Sequence, residues 1–281
     1  ALSSMLPNYD YSYAYDPIGN RLTAEQAGDD FTYTANNLNQ YTQINTETPT
    51  YDADGNMLTR DGWTQVWNGE NRMIAASKGN QRLEFDYDYM GRRIFKKVYE
   101  GETLTAHTRF VYDRYKLIQE LDAQNNNALL RRYVWQPEAA GLDVPLSVFD
   151  VAANQTYYYN IDANKNVSDL TAVNGSTVAH YEYTPFGGQT IGTGSYTLNP
   201  FRFSSEYFDS ETNLVYYNYR YYDAKTGRWL SKDPIEENGG WNLYGFIDNQ
   251  SLQSYDILGM QLFVSSGAGS LSPWDPSNPY S

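Results

Sequence analysis

Two aspartates and one arginine near the end of the chain have side chains that could together hydrolyse a peptide bond. They are Arg220, Asp233 and Asp256, and they lie in the most motif-rich stretch, residues 219–259. Hydrolysis needs a water activated by a carboxylate and an acid that protonates the carbonyl oxygen or the leaving amine. Two carboxyls that share a proton supply both functions, and a neighbouring arginine keeps one of them ionised.

Each of these residues also has a purely structural interpretation. Asp256 follows a tyrosine, as turn aspartates do elsewhere in the chain, so capping a turn would by itself justify it. Asp233 precedes Pro234, where a short acceptor often opens a turn. Arg220 lies among the tyrosines of residues 219–222, and its guanidinium could simply stack on those rings. The residue types leave catalysis and structure both open.

A tyrosine–aspartate repeat predicts the elements that position these side chains. From residue 11 onwards the chain repeats an aromatic, any residue, an aromatic and then a turn, with turns predicted at positions 16, 34, 52, 68 and 88. Two aromatics separated by one residue face the same side of a strand. The Asp side chain caps the reversal, and a following Gly or Asn accepts a positive φ. Each unit is therefore a hairpin, and the repeat predicts a continuous antiparallel ribbon.

The composition supports an all-β fold and disfavours several functions. The 281 residues include 28 Tyr, 21 Gly and no Cys, a balance typical of many short strands joined by turns. The absence of cysteine excludes disulfides and thiolate metal sites, and no cofactor or metal motif is present. A formal net charge of −14 disfavours nucleic acid or an anionic membrane as a ligand, and no run is long enough to span a membrane. Ala1 opens in mid-pattern, which indicates a piece of a longer protein.

A series of ordered motifs in the second half resembles one family. In chain order they are Tyr157-Tyr158-Tyr159-Asn160-Ile161-Asp162, Tyr181-Glu182-Tyr183-Thr184-Pro185-Phe186-Gly187, Asn199-Pro200-Phe201-Arg202-Phe203-Ser204, Glu211-Thr212-Asn213-Leu214-Val215-Tyr216-Tyr217, Arg220-Tyr221-Tyr222-Asp223, Gly227-Arg228-Trp229 and Asp233-Pro234. Together with the repeat, they resemble the YD repeats and the Rhs-repeat-associated core domain of the Rhs and teneurin class. The resemblance covers about residues 11–260.

The resemblance implies part of a hollow shell with an inward-turning core or plug. Members of the family wind a β-ribbon into a cocoon that holds a C-terminal toxin polypeptide. On this basis, residues 1–150 are a YD-repeat shell segment, residues 151–260 are the core domain and residues 261–281 are a linker tail. The implied partners are the chain's own C-terminal cargo and an N-terminal shell part or partner shell chain. The implied location is secreted or on the surface of a bacterial cell.

In polymorphic Rhs toxins the core domain cuts the chain just after itself, and the resemblance carries the site over residue by residue. The two catalytic aspartates map onto Asp233 and Asp256, and the accessory arginine maps onto Arg220. The bond to be cut follows the Asp-x-x-Gly-x element, which places it between Met260 and Gln261.

The end of the match departs from the commoner family pattern. Gly259 is expected to let the chain approach the carboxylates closely. The commoner ending, Asp-Pro-x-Gly-Leu, here has Ile257 for Pro and Met260 for Leu. Isoleucine loosens the turn, whereas methionine keeps an unbranched apolar side chain.

The competing interpretation is a YD-repeat scaffold or adhesion protein that cuts nothing. In that case the shell is rigid, and Asp233 and Asp256 serve only its stability.

Overall fold

The computed structural model describes residues 9–137, 143–252 and 254–264, and in these ranges the chain is built almost wholly from strands. The strands are β1 Tyr11–Tyr15, β2 Arg21–Gln26, β3 Asp29–Ala35, β4 Tyr41–Ile44, β5 Thr50–Tyr51, β6 Met57–Arg60, β7 Trp63–Trp67, β8 Met73–Lys78, β9 Gln81–Tyr87, β10 Arg93–Glu100, β11 Thr103–Asp113, β12 Lys116–Asp122, β13 Ala128–Trp135, β14 Pro145–Asp150, β15 Gln155–Ile161, β16 Val167–Ala172, β17 Thr177–Tyr183, β18 Gln189–Gly194, β19 Tyr207–Asp209, β20 Leu214–Tyr217, β21 Arg220–Asp223, β22 Arg228–Trp229, β23 Ser254–Ile257 and β24 Gln261–Val264. Short 3-10 helices cover Phe203–Ser205, Glu236–Gly239 and Ile247–Asn249. Nowhere in the described ranges is a helix long and apolar enough to cross a membrane.

The strands pair in chain order, as expected for a ribbon of hairpins. One sheet has four strands, β1 to β4, and the next has fourteen, β5 to β18, each antiparallel to its neighbour in sequence. A four-stranded core sheet, β19 to β22, and a two-stranded hairpin, β23 and β24, complete the fold. The prediction of an all-β fold of antiparallel hairpins is therefore confirmed.

The turns of the ribbon use the predicted aspartates as caps. In the turn after β9, Oδ1 of Asp88 accepts the backbone N–H groups of Met90 and Arg92, both at 3.0 Å. Gly91 follows with φ +80°, which a glycine adopts without strain. The turn that opens at Asp16 has the same arrangement, with 3.1 Å to the amide of Ile18 and 2.7 Å to that of Asn20. Each cap satisfies amides that the reversal leaves without ladder partners.

One predicted turn position, Thr34, is wrong. Thr34 lies inside β3, where it pairs with Gln43 of β4. The turn opens two residues later at Asn36, whose Oδ1 accepts the amides of Leu38 at 2.9 Å and Gln40 at 3.1 Å. An Asn side chain caps such a turn because its carbonyl oxygen can accept two N–H groups. The aromatic spacing alone did not reveal this shift.

The core sheet is buried on both of its faces. One face, with Leu214, Tyr216 and Tyr221, packs against the side chains of β6 to β9. The other face packs against Phe186, Phe203 and Phe246. Alternate residues of β20 serve opposite faces, as the pleat requires, and all four residues of that strand are buried. Burial of such side chains contributes about 1.5–3 kcal/mol each to stability. Because its two faces contact different parts of the chain, the core sheet is where the ribbon segments meet.

The structure also bears on the three predicted units. The fourteen-stranded sheet continues across residue 150 without a break. Gln261–Val264, at the start of the predicted tail, forms β24 and pairs with β23. The remainder of that tail, residues 265–281, lies outside the described residues, and the division into three units stays a prediction.

Candidate functional site

Arg220 is the centre of a charged cluster at the end of an inner strand of the core sheet. It begins β21, and only 3% of its surface is exposed. Its guanidinium carbon lies 4.1 Å from the ring centroid of Trp229, on the neighbouring strand. The stacking partner is therefore this tryptophan, whereas the structural interpretation of the sequence expected the tyrosines of residues 219–222. The flat ring fixes the plane in which the guanidinium can donate hydrogen bonds.

The guanidinium joins the two predicted carboxylates. Nη2 of Arg220 lies 2.9 Å from Oδ2 of Asp233 and 3.4 Å from Oδ2 of Asp256. Its Nε donates to the carbonyl oxygen of Gly259 at 2.5 Å. The cluster thus brings together residues up to 36 positions apart in the chain, from Arg220 to Asp256. The three residues predicted to form the site lie together.

Asp256 is held by the hairpin that follows it. Its Oδ1 accepts the backbone N–H groups of Gly259 at 3.1 Å and Met260 at 3.0 Å. Leu258 and Gly259 both adopt positive φ, 70° and 77°, which turns the chain sharply back toward β24. Asp256 is 3% exposed, so its hydrogen bonds replace those that water would supply.

Gly259 makes a close approach to the core sheet, whereas the sequence analysis expected one to the carboxylates. A Cβ atom there would lie 3.1 Å from both Cβ and O of Tyr217 and 3.4 Å from Cβ of Arg220. The turn can therefore sit on the core sheet only because this residue has no side chain. Met260 is 7% exposed, and the backbone of Gln261 begins β24.

Asp233 is held from a different side. Its own amide donates to the carbonyl of Leu243 at 2.9 Å, and its Oδ1 accepts the amide of Ile235 at 3.0 Å. A Cβ atom on Gly239 would lie only 2.5 Å from Oδ2 of Asp233. Gly239 therefore covers the same carboxylate oxygen that Arg220 contacts.

Burial and pairing act against each other on the charges of this cluster. Burial raises the pKa of Asp233 above its usual value, and the positive charge of Arg220 only partly opposes this effect. Burial likewise lowers the pKa of Arg220, against the attraction of the two carboxylates. Asp233 thus keeps its proton to a higher pH than an exposed aspartate does, which is the property required of a general acid.

A small cavity lies between the two carboxylates and the hairpin. Its volume is about 20 Å³, which is enough for one water. The lining includes Arg220, Asp233, Asp256 and Met260. Its far wall is the segment of residues 235–249, which we call the roof loop.

The roof loop supplies functional candidates that sequence reasoning missed. Gly239, Asn242 and Asp248 line the cavity beside the predicted residues. The paired glycines at 239 and 240 are the one local signal that could have indicated a close approach in this segment. In the parts of the chain that the structure describes, no group of three or more His, Asp or Glu side chains could hold a metal ion.

The fold and the cluster define a class of protein, a tyrosine-rich ribbon of hairpins packed around a small core sheet that carries a buried Asp–Arg–Asp site. The family model of the teneurin YD-shell matches residues 7–252, and the chain belongs to this family. The resemblance to Rhs and YD-repeat proteins is thereby confirmed. The matched region includes Arg220 and Asp233 and ends before Asp256 and its hairpin.

Two curated bacterial relatives match most of this chain. The tRNA nuclease WapA of Bacillus subtilis (strain 168) is 29% identical over 272 residues, which cover 92% of this chain and 11% of that protein. The double-stranded DNA deaminase toxin A of Burkholderia cenocepacia (strain H111) is 29% identical over 268 residues, which cover 84% of this chain and 18% of that protein. The chain therefore spans only a small part of the length of either relative.

Solved structures share the fold. A chain of the Photorhabdus luminescens Tc holotoxin pore superposes with a TM-score of 0.72 at 21% identity, covering 92% of this chain and 13% of that one. The TcdB2–TccC3 complex without its hypervariable C-terminal region gives a TM-score of 0.70 at 23% identity, covering 89% of this chain and 13% of that one. At this level of identity the likeness shows a common fold.

Proposed function

We propose that this chain is a shell segment of an Rhs-type cocoon that encloses a toxin, and that its core cuts the chain between Met260 and Gln261. One observation carries the cleavage proposal. The guanidinium of Arg220 contacts both buried carboxylates and the carbonyl oxygen of Gly259, one residue before the bond. Family membership and the toxin relatives support the shell proposal.

The two carboxyls divide the chemistry between them. Asp233 is the acid, because burial raises its pKa. Asp256 is the base, because its carboxylate accepts two backbone N–H groups and faces Arg220. A water in the cavity gives a proton to Asp256 while its oxygen attacks the carbonyl carbon of Met260, and Asp233 protonates the carbonyl oxygen.

The second half of the reaction restores both side chains. The tetrahedral intermediate collapses and the C–N bond breaks, while the nitrogen of Gln261 takes the proton that Asp256 holds. Asp233 recovers its proton from the hydroxyl group as the new carboxylic acid forms. The net change is the addition of one water, and because the reaction occurs within one chain it runs once per molecule.

The released part is proposed to be the cargo. The tail from Gln261 to Ser281 would remain joined to whatever polypeptide follows it in the full protein. The relatives are named for nuclease and deaminase activities, and a C-terminal enzyme of that general kind is the proposed cargo. The proposed location is secreted or at the bacterial surface, with an N-terminal shell part or a partner shell chain that completes the enclosure.

The intact mass of the expressed chain tests the cleavage. We expect the wild type to divide between Met260 and Gln261, and Asp233→Asn and Asp256→Asn to remain whole. Asp88→Asn is the matched control, because Asp88 caps a repeat turn through two amides as Asp256 does but lies outside the cluster. A wild-type chain that stays whole from pH 4 to 9 while folded would rule out the protease.

A non-enzymatic YD-repeat scaffold is the second candidate, and one observation favours it. Asp256 caps its own hairpin through Oδ1, just as Asp16 caps a repeat turn, so a structural role accounts for its main hydrogen bonds. In this case the chain stays uncut, and Asp256→Asn changes only its stability.

A further inference from the structure

The roof loop is held in place by the ribbon. Its two 3-10 helices, Glu236–Gly239 and Ile247–Asn249, flank a segment without regular structure, and Gly240 and Gly245 give that segment little stiffness of its own. Segments with few internal contacts open easily unless other parts of the fold hold them. The position of the loop over the cavity therefore depends on its contacts with other elements.

Three successive repeat turns make these contacts. We number them turn 1 (residues 16–20), turn 2 (residues 36–40) and turn 3 (residues 52–56). The amide side chain of Asn242 donates to Oδ1 of Asn20 in turn 1 at 3.1 Å. Farther along the loop, the hydroxyl of Tyr244 accepts from the side chain of Gln40 in turn 2 at 3.2 Å and donates to the carbonyl of Gly55 in turn 3 at 2.7 Å.

Arg228 is the hub between turns 1 and 2, the roof loop and the core sheet. Its Nη1 donates to Oδ1 of Asn20 at 3.1 Å, while its Nη2 donates to the carbonyl of Asn39 at 2.7 Å and to Oδ1 of Asn242 at 2.8 Å. Arg228 is 7% exposed, and its guanidinium carbon lies 4.3 Å from the ring centroid of Tyr41. Because Arg228 is buried, a donor that lost its acceptor without gaining a water would be costly, which favours the docked turns.

The hub reaches the proposed catalytic cluster from two directions. Asn242 itself lines the cavity. Arg228 directly precedes Trp229, and the guanidinium of Arg220 stacks on the ring of that tryptophan. Both the wall of the cavity and the support of its arginine are thus tied to the first two turns of the ribbon.

We propose that Arg228 and Asn242 are positioning residues that close the cavity only when turns 1 and 2 are docked. Self-cleavage then waits until this part of the shell has folded against the core. The inference rests on the proposed self-cleavage and says what regulates it. In a chain whose ribbon is still undocked, the roof loop is open and cleavage is slow.

Asn20 and Asn56 make a matched pair for testing this coupling. Nδ2 of Asn20 donates to Asp16 of its own turn at 2.8 Å and to Asn39 of the next turn at 2.9 Å. Nδ2 of Asn56 makes the same two bonds, to Asp52 at 2.9 Å and to Asn71 at 2.8 Å.

Both side chains are almost fully buried, and in both turns the backbone bonds do not depend on the amide. The difference is that Oδ1 of Asn20 also accepts from Arg228 and Asn242. Asn20→Ala removes the hub contact, and Asn56→Ala removes only the contacts within the ribbon.

The experiment refolds the denatured, uncut 281-residue chain and times the cleavage by mass spectrometry. We expect Asn20→Ala to slow cleavage by on the order of 10-fold or more, since a small misplacement of reacting groups is costly, and Asn56→Ala to cut at the wild-type rate. Asn20→Ala should also move the fall of the rate at high pH to lower pH, because water entering under the loop relieves the burial that raises the pKa of Asp233. The charged groups that line the cavity beside Asp233 are Arg220, Asp248 and Asp256.

Hydrogen exchange supplies a readout that does not need cleavage. Both variants are made in the uncut Asp256→Asn chain. The amides of residues 235–249 should exchange about 10-fold faster when Asn20→Ala is added, and at the same rate as before when Asn56→Ala is added. Equal exchange in the two variants would overturn the coupling whether or not the chain cuts. Equal cleavage rates with faster exchange would overturn it as well. A wild-type chain that never cuts would rule out the proposed self-cleavage and, with it, its regulation by the docked turns.

Discussion

Arg93 holds both carboxylate oxygens of Asp209, with 2.5 Å from Nη1 to Oδ2 and 3.1 Å from Nη2 to Oδ1. Arg93 begins β10 of the long sheet and Asp209 ends β19 of the core sheet, so the pair joins ribbon to core. Neither side chain is more than 1% exposed. A second cation, Lys96, binds the same carboxylate at 2.8 Å. Arg60 and Asp223 form a similar buried pair at 2.6 Å.

The first prediction concerns acid stability. Burial acts to raise the pKa of Asp209, but Arg93 and Lys96 outweigh it and hold the pKa below its usual value. The stabilisation from this carboxylate is therefore present above the ordinary aspartate pKa of about 3.9 and is lost as pH falls through the lower folded value. Denaturant titrations should give a free energy of unfolding that drops steeply below about pH 4.

Asp209→Asn is the variant that checks the assignment. Breaking a buried pair from one side costs about 3–5 kcal/mol, so the variant should be less stable at pH 7. Its loss of stability on going to acid should be shallower than that of the wild type, because the group that titrates is gone. If the free energy of unfolding fell equally steeply with decreasing pH in the two proteins, Asp209 would not be the responsible group.

The second prediction concerns the pH dependence of cleavage. Because burial raises the pKa of Asp233, its acid form persists above the usual aspartate range. The cleavage rate should therefore fall as pH rises through the folded pKa of Asp233. Refolding the uncut chain into buffers from pH 4 to 9 and timing the products measures this limb. A rate that rises steadily to pH 9 would contradict the role of Asp233 as acid.

Glu206 is the control for that profile. Burial raises the pKa of Glu206 to about 8, and the charge of Asp256 adds to the effect. It is thus a second carboxyl that can titrate within the measured range. Glu206→Gln should leave the Asp233 limb in place, and loss of the limb in this variant would assign it to Glu206 instead.

The third prediction uses the contact between Gly239 and Asp233. Gly239→Ala puts a methyl group 2.5 Å from the oxygen that binds Arg220, so the carboxylate must move. We expect cleavage to slow by on the order of 100-fold, the cost of a misplacement of about 1 Å. Gly69→Ala is the matched control, because its Cβ would meet no atom within 4 Å. Product mass against time compares the two, and equal rates would remove Gly239 from the site.

The fourth prediction concerns the hairpin turn at Gly259. Gly259→Ala and Gly28→Ala both place an alanine at positive φ, which costs about 1–2 kcal/mol. Only the first also crowds Tyr217, at 3.1 Å, and this overpacking adds about 1–3 kcal/mol. Chemical denaturation should find Gly259→Ala the less stable, and its cleavage should be slower. Equal losses in the two variants would mean that the turn does not rest on the core sheet as described.

The repeat could be predicted from the sequence because its causes are local. An aspartate such as Asp88 bonds amides two and four residues ahead, and Gly91 takes the positive φ beside it. These bonds form within five residues and need nothing from the rest of the chain. The error at Thr34 has the same origin, since aromatic spacing does not say whether Thr34 or Asn36 opens the turn.

The site could be predicted only in part. Arg220, Asp233 and Asp256 were identified through ordered motifs of a known family, and the structure brings them together. The pairing of Arg220 with Trp229 and the approach of Gly239 to Asp233 were not foreseen. Both depend on how the core sheet and the roof loop pack, which no short stretch of sequence encodes.

The sequence by itself determined the ribbon, because period-two aromatics and turn caps act over a few residues each. Its ordered motifs, through the resemblance to a known family, also identified Arg220, Asp233 and Asp256. The tertiary structure decided that these side chains meet and that burial raises the pKa of Asp233. It also decided that turns 1 and 2 hold the roof loop through Arg228 and Asn242. The bonds from Arg228 and Asn242 to Asn20 and Asn39 join residues 189 to 222 positions apart. They form only when packing has removed water from between the partners.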